Sequence, residues 1–260
     1  MTSGTSIKLF IGEILGTFIL VFVGCGSIAL ALVYESLSSL WQIALCWGGA
    51  VTFSILVLHR WGPVHLNPAV SLFFFLRKQV NIKHLGILVV AQSIGAAVAT
   101  LALYGLISTD LENYELMQQI SRNNPSGINS AMIFTEFFPN PGEGIQILSG
   151  TSAFMAEWTG TGLLILVVAL LSKYKIKVLP SALLIGLALS ILIFFIAPYT
   201  QAGFNPARDF IPRIIILFLG WDQTVWANGF IGAILTYVLA PALAATCLSL
   251  VFSTSPKKTL

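Results

Sequence analysis

The sequence predicts an all-α membrane protein with six transmembrane helices and two short re-entrant half-helices, arranged as an inverted repeat. Three observations carry that expectation. Of the 260 residues, 57% are hydrophobic and only 9% charged, whereas an ordinary soluble domain carries roughly 25% charged residues. A water-facing surface so poor in charge would be one large apolar patch. Six apolar stretches reach the about 20 residues that a helix needs to cross the hydrocarbon core. Finally, the two halves of the chain repeat the same motifs in the same order.

The spans fall in order at 9–33, 41–59, 85–107, 152–172, 179–197 and 227–252. A short polar start, MTSGTSIK, precedes the first. It resembles the head of a secretory signal, but the apolar run is long enough to span and five more follow, so it is expected to be retained. Between spans two and three, Asn67-Pro68-Ala69 opens an apolar run from Val70 to Leu76. Between spans five and six, Asn205-Pro206-Ala207 opens another, from Phe210 to Leu219. Both runs are too short to cross, so each is expected to enter and leave from one side. The chain therefore reads as a single membrane domain, 1–260, with halves of about 1–110 and 150–260 joined by an extracellular loop, 111–149. No separate soluble domain or long disordered tail is expected.

Charge sets the orientation. Lys8, Arg60, Arg77, Lys78, Lys83, Lys173, Lys175, Lys177, Lys257 and Lys258 fall on one side, with no acidic residue in those segments. Glu35, Asp110, Glu112, Glu115, Glu136 and Glu143 fall on the other, opposed only by Arg122. Positive residues stay cytoplasmic, so both termini are expected there, with the chain in the plasma membrane. The net charge of +3 is thus a signal of topology and does not call for nucleic acid. Cys25, Cys46 and Cys247 all lie within spans, without paired spacing, and read as small packing residues. His59 and His84 sit at loop ends with no Cys or acidic partner, so no metal is expected. No nucleophile–base set or phosphate loop appears, which argues against an enzyme, and no cofactor is called for.

The repeat is specific. Phe10, Glu13, Gly16 and Thr17 match Phe154, Glu157, Gly160 and Thr161 as F-x-x-E-x-x-G-T. Asn205 follows Asn67 by 138 positions, and Ile231-Gly232-Ala233 follows Ile94-Gly95-Ala96 by 137. Three spans per half is an odd number, so the second half enters the bilayer from the opposite face. The functional site is expected where the halves meet near the midplane. Asn is a preferred helix N-cap, Pro at the first helical position has no N–H to leave unpaired, and Ala lets two helix starts approach. Each Asn would then have its side-chain NH2 free to donate into a pore.

On these residues the chain resembles the major intrinsic protein family of aquaporins and glycerol facilitators, over nearly its whole length. The resemblance implies six tilted helices, two half-helices meeting at the bilayer centre, one pore per subunit and a homotetramer. It implies that Asn67 and Asn205 donate to the passing solute, and that the backbone carbonyls of 63–66 and 200–203 accept from it. Glu13 and Glu157 are symmetry mates expected to anchor these loops, with a proton relay as the competing reading. His65 resembles a position whose ring packs under the loop, and Asp209 is likewise expected to serve as a loop anchor. The family's selectivity filter maps onto Trp47, twenty residues before Asn67, onto Ile193, and onto Ala202, six before Arg208, with Arg208 itself completing it.

Water-selective members carry His where this chain has Ile193, and glycerol facilitators carry Gly and Phe at the Ile193 and Ala202 positions. The set Trp, Ile, Ala, Arg resembles the plant nodulin-26-like branch, which passes glycerol, small amides such as urea, metalloid acids and water. Asp209 with Arg213, and the segment 135–141, resemble glycerol facilitators, whereas Trp226 resembles water channels. A passive channel for glycerol and water that excludes protons and ions is the implied function. A water-selective pore, an arsenous or boric acid channel and a coupled secondary transporter are the alternatives.

Overall fold

A computed structural model describes residues 3–142 and 147–252. Glu143, Lys257 and Lys258, used above for orientation, lie outside the described residues. Eight helices place the site: α1 (Ser3–Leu32), α2 (Leu40–Leu58), α3 (Pro68–Leu76), α4 (Ile82–Met117), α5 (Gly150–Lys173), α6 (Val178–Thr200), α7 (Pro206–Leu217) and α8 (Phe230–Val251). All but α3 and α7 are long and apolar enough to cross a membrane.

Local chemistry starts and stops them. The Ser39 side chain accepts from the Gln42 N–H while the Gln42 side chain accepts from the Ser39 N–H, a reciprocal capping box that opens α2. Asn81 caps α4 and Ser149 caps α5 in the same sense, each satisfying one otherwise orphaned donor. Gln201, at φ +59°, takes the left-handed conformation that ends α6. In α8 the backbone widens to a π turn at Leu235–Leu239, just ahead of Pro241. Pro241 has no N–H for the carbonyl four residues back, and the widened turn accommodates that loss.

The third span is longer than the sequence predicts. Hydropathy ends at Ser108-Thr109-Asp110, but α4 runs on to Met117. The extension persists because Leu111 and Glu115, four apart, share a buried face, and Glu115 pairs with Arg122 at 2.8 Å. The connection between the halves is correspondingly shorter, 118–149 instead of 111–149.

The halves interlock. α1 packs along α4 and α2, and α5 packs on α6 and α8. The half-helices cross over: α3 of the first half lies against α8 of the second, and α7 of the second against α4 of the first. At the centre α2 meets α6 through backbone. A Cβ on Gly48 would stand 2.2 Å from the Gly186 carbonyl oxygen, and one on Gly186 2.4 Å from that of Gly48. Gly186 follows Gly48 by 138 positions, the offset of the two Asn-Pro-Ala boxes, so the contact lies on the axis relating the halves. Two hydrogen bonds flank it as symmetry mates: Ser190 Oγ donates to Ala44 O (2.9 Å) and Thr52 Oγ1 to Ala182 O (3.1 Å). Small residues and short interhelical hydrogen bonds replace the hydrophobic drive that lipid does not supply.

Candidate functional site

The site is built from two loops held in the same way. Leu66 (φ +57°) and Phe204 (φ +53°), the residues before each Asn, are both left-handed, a conformation that costs energy for side chains of this size and needs outside support. Glu13 supplies it in the first half, accepting from the N–H of His65 (2.6 Å) and Leu66 (2.8 Å) and from Gln92 Nε2 (2.9 Å). Glu157 supplies it in the second, accepting from the N–H of Gly203 (2.9 Å) and Phe204 (2.7 Å) and from Thr200 Oγ1 (2.6 Å).

The shared glycine of the motif makes the room. A Cβ on Gly16 would meet the Leu66 side chain at 2.4 Å, and one on Gly160 the Phe204 ring at 2.1 Å. Glu and Gly of F-x-x-E-x-x-G-T thus serve one purpose, the Glu holding the backbone and the Gly admitting the side chain.

Each Asn then caps its own half-helix. Asn67 Oδ1 accepts from the Ala69 N–H at 2.8 Å, and Asn205 Oδ1 from that of Ala207 at 3.1 Å. Here the structure corrects the expectation of free side-chain amides. Asn67 Nδ2 donates to Phe204 O (2.8 Å), and Asn205 Nδ2 donates to Leu66 O (2.7 Å). One donor of each amide is therefore spent across the dyad, and the Leu66 carbonyl, expected to face the solute, accepts from the opposite half. The exchange brings the N-termini of α3 and α7 together, so the positive ends of both helix dipoles converge there. Pro68, Ala69, Pro206 and Ala207 form the first turns behind this contact.

A single cavity of about 80 Å³ passes these groups, lined by Asn67, Asn205, His65, Trp47, Ile193, Ala202 and Arg208. Its other walls are largely apolar, including Leu20, Val51, Val70, Leu164 and Leu189. Trp47 lies against the bare backbone of Gly24, where a Cβ would come within 2.3 Å of the indole. Arg208 stacks over that indole, 4.4 Å from the ring centroid, and its Nη1 donates to Phe134 O at 3.0 Å. Its Nε stands 2.5 Å from Glu136 Oε1. His65 also contacts Ser71 Oγ through Nδ1 (3.1 Å), and its ring stacks on Phe74 at 4.8 Å.

Asp209 points away from the cavity and ties down the loop that joins the halves. It accepts from Glu136 N (2.8 Å) and Thr135 Oγ1 (2.5 Å), and it pairs with Arg213 Nη2 (2.8 Å). Arg213, fully buried, also donates to the carbonyls of Glu136 and Val225. Sequence reasoning missed Glu136 and the Phe134 carbonyl as partners of Arg208, and Gly24 as the surface against which Trp47 lies. A signal for Glu136 was present, since an acid within Met132-Ile133-Phe134-Thr135-Glu136-Phe137-Phe138 has no solvated face to occupy. Among the described residues, no group of three or more His, Cys, Asp or Glu side chains gathers as a metal site would require.

The sequence model of the family described as Major intrinsic protein matches residues 1–240. The chain belongs to the major intrinsic protein family. It is 32% identical over 240 residues to the glycerol uptake facilitator protein of Pseudomonas aeruginosa, covering 90% of this chain and 84% of that one. It is 30% identical over 222 residues to the glycerol uptake facilitator protein of Escherichia coli K12, covering 84% and 77%. Among solved structures, the aquaglyceroporin from Plasmodium falciparum matches with a TM-score of 0.81 at 26% identity, covering 96% of each chain. As a member of the major intrinsic proteins, the chain is a multi-pass membrane protein with the aquaporin fold, and the paired half-helices are the meeting point of its inverted repeat.

Proposed function

We propose that this chain is a passive transmembrane channel for glycerol and similar small uncharged solutes, that it also passes water, and that it excludes ions and protons. The observation that carries the reading is the constriction itself. Trp47 and Ile193 offer apolar surface, Ala202 leaves space, and Arg208 offers donors at one corner of the same cavity. A polyol has a carbon face and a hydroxyl face, and this ring meets both. The names of the relatives, glycerol uptake facilitators and an aquaglyceroporin, point the same way.

Exclusion of cations follows from the converging half-helix dipoles and from a largely apolar wall that cannot replace a hydration shell. Glu13 and Glu157 act in this reading as loop anchors and not as proton carriers, because their oxygens are occupied by loop N–H groups. The basic ends of the spans, including Arg60, Arg77, Lys78, Lys83 and Lys173, support a cytoplasmic location for both termini in the plasma membrane. A homotetramer is the assembly proposed for it.

Stopped-flow light scattering on proteoliposomes tests the solute. Glycerol entry is expected to be fast in the wild type and at least about tenfold slower in Ala202→Phe, a change worth about 1.4 kcal/mol at the constriction. Fast water flow with no glycerol entry would reject the wide constriction and favour a water-selective pore.

A further inference from the structure

Glu136 is fully buried, and apart from the ion pair with Arg208 its two carboxylate oxygens have no hydrogen-bond donor among the described residues. Its cationic partner is Arg208, with Nε 2.5 Å from Oε1, and the carboxylates of Asp209 and Glu157 stand on its other side. The other acids nearby are provided for. Glu157 accepts from two backbone N–H groups and a hydroxyl, and Asp209 holds Arg213, Thr135 and the Glu136 N–H. Glu136 and Glu157 also approach each other, both standing within 3.4 Å of where a Gly203 Cβ would lie. A third carboxylate in this cluster, placed where only the guanidinium can neutralise it, is a weak device for stability, because burying an ion pair offsets most of its attraction.

The order of the groups gives the carboxylate a different purpose. Arg208 lines the cavity and Glu136 does not, so the arginine stands between the acid and the solute. The guanidinium is fixed on three sides, by the Trp47 ring, the Phe134 carbonyl and the Glu136 carboxylate. We propose that Glu136 is the counter-ion of the constriction arginine, a positioning residue that aims Arg208 and cancels its charge. Charge selectivity at this point then belongs to the pair. The arginine's donors serve the solute, the field of the half-helices repels cations, and the constriction carries no net positive charge that would draw anions in.

The inference rests on the channel reading above and is tested by charge bookkeeping in proteoliposomes. Potassium efflux, with a protonophore carrying the compensating charge, is measured beside glycerol entry in the same vesicles. Wild type and Glu136→Gln are expected to show no potassium leak. Arg208→Ala bares the carboxylate to the cavity and is expected to leak at least about tenfold above wild type, an unpaired charge at this range being ample for that. Adding Glu136→Gln to Arg208→Ala restores neutrality and is expected to return the leak to the wild-type level. Glu136→Gln alone is expected to slow glycerol entry severalfold, and Glu136→Asp to recover most of it.

A merely structural role for Glu136 would not make one substitution cure the leak of another. Equal leaks in the single and double variants, or no leak from Arg208→Ala, would overturn the proposal. Should Arg208→Ala fail to assemble, Arg208→Gln removes the same charge and carries the same expectations. Absence of glycerol entry in the wild-type vesicles would instead reject the channel reading on which the proposal stands.

Discussion

Glu157 shows how much of the pore depends on single side chains. Its removal in Glu157→Ala would leave the Gly203 and Phe204 N–H groups without acceptors, each at about 1–3 kcal/mol, beside a left-handed Phe204. A lower thermal unfolding temperature in detergent and loss of flux are expected, with Glu157→Gln intermediate because it keeps acceptor capacity for one N–H. An unchanged melting curve would show that the loop holds itself. Gly24→Val is expected to act differently, displacing Trp47 and slowing glycerol entry while the protein stays folded, since the clash is with one side chain. Parallel glycerol and water flux measurements check it. The residue scale was also the most legible in sequence where chemistry is local. Asn67 and Asn205 announced themselves because cap, proline and small residue are consecutive. Glu136 and Gly24 did not, because what they touch lies about 70 and 20 positions away in sequence and is joined only by packing.

Between elements, the α2–α6 crossing is a close one, with Gly48 and Gly186 stacked backbone to backbone. Gly48→Leu has nowhere to place its side chain and must part the two helices, at a cost above about 1 kcal/mol. Reduced yield of folded protein and a lower unfolding temperature are expected, and wild-type stability would contradict the crossing as described. Helix existence was readable from apolar length alone, because a bilayer-spanning segment must satisfy all its backbone internally. Helix extent was not. α4 continues to Met117 through a polar stretch because Leu111 is buried in the core and Glu115 pairs with Arg122, neither of which hydropathy registers.

For the whole molecule, the inverted repeat was legible because both halves kept their motifs in register, and the fold follows once the odd number of spans is noticed. How the halves join was not. The exchanged bonds from Asn67 to Phe204 O and from Asn205 to Leu66 O make each half complete the other's loop, and no spacing in one half reveals an acceptor in the other. The central claim is that this assembly is a passive channel for glycerol. It is tested most directly by glycerol flux into wild-type proteoliposomes, measured with and without an imposed proton gradient. Downhill entry that is unaffected by the gradient and stops at equal concentrations is the expected result. Accumulation of glycerol against its gradient when protons flow inward, or no glycerol entry above that of protein-free vesicles, would contradict it.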